Sequence, residues 1–130
     1  MKYFVLTIDV EPDASFQSWN TSNPLTFDGV LIGIDRLQKL ANDFNISVTY
    51  LIQPVVLYSQ RCVDFFKSLR GKYELGTHLH GDYIEPNAKY RGPDFSGCNP
   101  GEKQKDYSRD IEFGKMTNIT NLFFECFGYK

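Results

Sequence analysis

Two periods organise the hydrophobic and polar positions of this chain. Tyr3–Val10 reads Y-F-V-L-T-I-D-V, a short apolar and β-branched run that predicts a strand buried on both faces. Glu11–Thr26 is polar, rich in Asn, Ser, Asp and Pro, and predicts a loop that carries Trp19, the only tryptophan. Between Asp28 and Asn45 the apolar residues Val30, Leu31, Ile34, Leu37, Leu40 and Phe44 recur at helical spacing. Ile46–Ile52 predicts a second buried strand, ended by Pro54. Leu57–Leu69 predicts a second helix with Val63, Phe65, Phe66 and Leu69 on its apolar stripe. Gly71 follows, where a left-handed residue is favoured. Tyr73–His80 predicts a third strand and Gly81–Gly101 a long loop with Pro86, Pro93 and Pro100. Lys105–Phe127 predicts a third helix, apolar at Ile111, Phe113, Met116, Ile119, Leu122, Phe123 and Cys126.

This order, β-α-β-α-β-loop-α, predicts an α/β fold: a single domain over residues 1–130 whose parallel strands are joined by right-handed crossovers. In such sheets chemistry collects beyond the carboxyl ends of the strands. Three βα units are too few to close a barrel, which takes roughly 250 residues.

Composition narrows the function classes. Apolar residues make up 42% and charged residues 23%, ordinary for a globular domain. The net charge is -2 and no Lys/Arg block stands out, so neither nucleic acid nor an anionic membrane is an expected partner. No apolar run approaches the roughly 20 residues of a membrane span. Cys62, Cys98 and Cys126 are scattered, with no C-x-x-C spacing; reduced thiols in a cytoplasmic protein are the expectation.

The candidate chemistry lies at two strand ends. Strand side chains alternate, so Thr7, Asp9 and Glu11 share one face, as do Gly76, His78 and His80. Two carboxylates and two imidazoles then converge over one sheet edge. Imidazole with carboxylate suits Zn, Fe, Ni or Co, and the lack of a nearby thiolate fits a catalytic site with an open position. A spare carboxylate can act as general base. An isolated His is more often structural than a ligand. Here, however, the only two histidines form an H-x-H pair that follows an early D-x-E. Asp82 is a further ligand or a turn residue. Trp19 and Tyr83 can stack on a sugar ring or pack in the core. Cys98 has no nearby His to activate it, Ser15, Ser18 and Ser22 lack a G-x-S-x-G context, and Gly29–Gly33 matches no nucleotide fingerprint.

With these residues in view, the chain resembles the polysaccharide deacetylases, metal-dependent carbohydrate esterases similar to chitooligosaccharide deacetylases. Phe4–Glu11 (F-V-L-T-I-D-V-E) looks like the family motif T-F-D-D-G, and Val48–Ile52 (V-T-Y-L-I) is similar to the second strand. Tyr73–His80 (Y-E-L-G-T-H-L-H) resembles the motif that begins E-I-G-x-H, and Asn121–Lys130 resembles the helix end before the next family strand. The resemblance implies the N-terminal part of an irregular (β/α) barrel that removes N- or O-acetyl groups from a glycan. It implies Asp9 as general base and a divalent ion, zinc foremost, held by Glu11, His78 and His80, with Asp82 as a further candidate. Trp19 and Tyr83 become candidate substrate contacts. The sequence departs from the family at Val10, where the motif has a carboxylate, and at Asp82, where it has a second His. The later family motifs are absent, which implies a missing C-terminal half or a homo-oligomer covering the open sheet edge. Two alternatives stay open: a non-catalytic glycan-binding or assembly domain, and another metal-dependent amidohydrolase.

Overall fold

In the structure, a computed structural model, residues 4–14, 20–90 and 104–129 are described. Strands β1 (Leu6–Val10), β2 (Val48–Ile52) and β3 (Tyr73–Thr77) form a parallel sheet in the order β1-β2-β3. A π-helical turn, Gly29–Gly33, runs directly into α1 (Ile34–Asp43), and the Ile34 N–H donates to the Gly29 carbonyl. Helices α2 (Pro54–Leu57) and α3 (Gln60–Ser68) join β2 to β3. Short 3₁₀ turns at Gly81–Tyr83 and Gln104–Asp106 precede α4 (Arg109–Phe127). The α/β class and the parallel strands agree with the sequence pattern. Among the described residues no helix is long and apolar enough to cross a membrane.

The strand order decides where the helices go. A right-handed crossover that steps the same way each time returns every helix to the same face. The core obeys this. Leu6, Ile8 and Val10 of β1 and Val48, Tyr50 and Ile52 of β2 pack with Val30 and Ile34, Phe66 of α3, and Ile119 and Phe123 of α4. The opposite face carries Thr7, Asp9, Thr49, Leu51, Glu74 and Gly76, all exposed or half-buried. The expected strands buried on both faces are therefore corrected to a sheet covered on one face, because the crossovers supply helices to one side only. Asp9 is correspondingly not entombed in an apolar strand; its side chain is 58% exposed.

The helix faces differ from the sequence stripes. The inward residues of α4 are Lys115, Ile119 and Phe123, whereas Phe113, 74% exposed, and Met116 face out. Leu40 and Phe44 are likewise exposed, and Gln38 takes an inward position on α1. Gln38 is tolerated there because its polar atoms are satisfied. Its Oε1 accepts from the Tyr50 hydroxyl at 3.0 Å, and its Nε2 donates to Asn42 Oδ1 at 2.8 Å. Burial pushes the Tyr50 phenol up to about 12. Gln38→Leu is expected to cost about 1–3 kcal/mol in urea denaturation, because it orphans a buried hydroxyl. Adding Tyr50→Phe should restore part of that loss, since no polar atom is then stranded.

Candidate metal centre

The parallel register matches Asp9 to Leu51 to Gly76, then Val10 to Ile52 to Thr77. The ladder continues one rung further: the Gln53 N–H donates to the Val10 carbonyl at 3.1 Å, and the His78 N–H to the Ile52 carbonyl at 2.9 Å. Glu11, Gln53 and His78 are therefore successive neighbours across the top of the sheet. By alternation they lie on the bare face with Asp9.

The side chains converge as the spacing suggested. His80 Nε2 lies 2.9 Å from Glu11 Oε1, and His78 Nε2 lies 3.3 Å from the same oxygen. The other nitrogen of His78, Nδ1, is 3.3 Å from Asp9 Oδ1. The two imidazole rings are 4.7 Å apart between centroids. One carboxylate oxygen and one nitrogen from each imidazole lie within 4.8 Å of one another, so Glu11, His78 and His80 can hold a metal ion. Ligands about 2.1 Å from a tetrahedral ion sit roughly 3.4 Å from one another, close to this spacing. The donor set of two imidazoles and a carboxylate, with one side open, suits a first-row divalent ion.

Charge couples these groups. The contacts with His78 and then His80 hold the Glu11 carboxyl down at about 2, against an opposing effect of burial. The contact with Glu11 raises His78, burial opposes it, and Asp9 adds to the rise.

Local structure fixes each arm of the site. Asp13, two residues beyond Glu11, pins the loop onto the start of the first helix. Its Oδ2 accepts from the Asp28 N–H at 2.7 Å and from the Thr26 hydroxyl at 2.7 Å, and its Oδ1 accepts from the Gly29 N–H at 2.8 Å. A Cβ on Gly29 would lie 2.9 Å from Asp13 Oδ1, so the carboxylate would have to shift to admit one. On the other arm, Lys115 reaches from α4 to the turn after His80. Its Nζ is fully buried and donates to the Gly81 and Ile84 carbonyls at 2.7 Å each. Tyr107 packs so closely on Gly81 that any side chain there would collide with its ring. Sequence reading identified neither Asp13 nor Lys115.

The remaining candidates fall elsewhere. Asp82 is buried in the 3₁₀ turn and does not join the Glu11–His78–His80 group. Its backbone carbonyl accepts from the Lys89 and Tyr90 N–H groups and so ties the turn to the segment that follows. Tyr83 is buried too, packed with Val55, Leu25, Phe27 and Tyr90, so its ring contributes to a small aromatic cluster behind His80. Trp19 and Cys98 lie outside the described residues. Cys62 is buried on α3, where burial pushes its thiol up.

Comparison of the chain with protein-family models, with curated proteins and with solved structures returned no match.

Two outcomes follow from this geometry. Lys115→Met, which keeps the bulk of the stem but removes the ammonium, is expected to cost about 2–3 kcal/mol by denaturation. It should also broaden the His80 ring signals in NMR spectra. The second concerns pH in the metal-free protein. Glu11 is lowered on folding, so its contribution to stability is present above the ordinary carboxylate range and lost as pH falls towards 2. His78 is raised, so its contribution is present below 6.5 and lost as pH rises through its elevated value. Melting temperatures across this range should show both slopes, and Glu11→Gln should flatten both.

Proposed function

We propose that this chain is a metal-dependent hydrolase domain of the polysaccharide-deacetylase type, acting on acetyl groups of a glycan with zinc as its ion. The observation that carries the reading is the convergence of Glu11, His78 and His80 beyond the carboxyl ends of parallel strands, with Asp9 against the second nitrogen of His78. The one-sided covering of the sheet supports a segment of an irregular (β/α) barrel, in which helices line the outside and the bare face turns inward. An open groove of about 340 Å³ runs beside β1, lined by Asp9 and Glu11 together with Ile8, Val10, Gly29, Val30 and Ile34.

Glu11, His78 and His80 would hold the ion. When bound, zinc supplies Lewis acidity towards the acetyl carbonyl and brings the pKa of water down to about 7. Asp9 has two tasks that its two oxygens divide. Oδ1 faces His78 Nδ1 and thereby directs Nε2 towards Glu11, the arrangement by which an outer carboxylate orients a ligating imidazole. The other oxygen would take the proton of the water that adds to the acetyl carbon and return it to the departing amine nitrogen or alcohol oxygen as the C–N or C–O bond breaks. His78 and His80 sit half-buried, which limits competing solvent on their side of the site.

The test separates binding from chemistry. Elemental analysis after chelator treatment, zinc addition and dialysis should find one ion per chain. His78→Ala and His80→Ala should each lose it, and unchanged metal content in both would sink the reading. Asp9→Asn should keep the ion but release acetate from N-acetylated chitooligosaccharides about 100-fold or more slowly. Bound metal without acetate release from the unaltered protein would favour the non-catalytic, glycan-binding alternative.

A further inference from the structure

Gln53 is the residue at the top of the sheet that the roles above leave unused. It follows the last residue of the central strand and keeps an extended backbone, with φ -81° and ψ 160°. Its N–H continues the ladder to Val10, so it stands between Glu11 on one side and His78 on the other. Ile52 points into the helix-covered core, so alternation sends the Gln53 side chain to the bare face, the face of Asp9 and His78.

The polar end of this side chain is anomalous. Gln53 is only 3% exposed, yet its Oε1 is buried with no hydrogen-bond partner. The other buried glutamine, Gln38, has both of its polar atoms paired. A buried carboxamide oxygen without a donor is costly to keep, and such groups in folded proteins are usually accounted for by a ligand or a task. Position says what the task is. The acceptor belongs to the residue between two of the three ion-holding residues, where a carbonyl under attack would sit. A secondary amide presents an N–H one bond from its carbonyl, and an ester presents no donor there.

We propose that Gln53 is a substrate-binding residue whose buried Oε1 accepts the N–H of a secondary amide, so that the site selects amides over the matching esters. This rests on the hydrolase reading above and deepens it. A site built around a buried acceptor disfavours an analogue that lacks the donor, because the acceptor is then left unpaired. The carbonyl oxygen is common to both substrates, and the N–H is the group that the Gln53 Oε1 can read.

A matched pair of probes, 4-nitroacetanilide and 4-nitrophenyl acetate, differs at the discriminating atom alone. In the zinc-loaded protein Gln53→Met is expected to lower kcat/KM for the anilide about 10- to 100-fold. The ester value should stay within about threefold, metal content should be unchanged, and the melting temperature should not fall. Equal losses on both substrates would overturn the proposal. A second measurement needs neither the variant nor turnover. The ¹⁵N-labelled side-chain amide signal of Gln53 should shift on titration with the anilide and stay in place with N-methyl-4-nitroacetanilide, the same amide without its N–H. An unmoved signal with the anilide, or the same shift with both, would overturn it too. The two readings fail separately. Absence of turnover with the Gln53 shift intact would count against hydrolysis alone, whereas turnover without amide preference would count against Gln53 alone.

Discussion

The site depends on a hydrogen-bond ladder that runs one rung past the strands. Parallel pairing holds Val10, Ile52 and Thr77 level, and two further N–H bonds carry that alignment to Glu11, Gln53 and His78. Residues separated by more than sixty positions in sequence thereby flank one central rung, and the Glu11 and His78 side chains meet across it. A slip of one residue would turn Asp9 and Glu11 into the core and Val10 out of it, so burial of Val10 and presentation of the acidic pair are one constraint. The same ordering of strands puts every helix on one face and leaves the other free to carry polar groups.

Much of this was legible because the period of a strand is short. D-x-E and H-x-H announce a shared face wherever an extended backbone runs through them, and the structure brings Glu11, His78 and His80 together although β3 ends at Thr77, short of both histidines. The single-faced covering was also written in Thr7, Asp9, Thr49, Glu74 and Gly76, polar or small residues at alternate positions. The apolar run Tyr3–Leu6 obscured it by extending the pattern beyond the strand. What sequence could not show depends on contacts between distant segments. Asp13 works on backbone groups at positions 28 and 29, too far along the chain for a local capping motif. Lys115 reads as a surface charge until two carbonyls of another segment are placed against it. The inward face of α4 was misjudged for the same reason, since a cation inside the protein has to find its acceptors before it can displace a phenylalanine from that face.

The charges at the top of the sheet are arranged to be exchanged. Without an ion, the contacts with His78 and His80 lower the Glu11 carboxyl and the contact with Glu11 raises His78. A cation held by Glu11, His78 and His80 would compete with protons for the same lone pairs, so its binding would release protons. Asp9 remains outside the exchange, against the far nitrogen of His78.

The Lys115 clamp has a consequence for how the protein is made. Asp9 and Glu11 leave the ribosome first and His80 follows, but one anchor of the turn after His80, a lysine thirty-four residues beyond Gly81, is synthesised and buried only later. A cation that meets the growing chain early finds isolated side chains and binds weakly. The three side chains that could hold an ion are set together only when α4 docks, so a cation site of this kind would be completed late in folding.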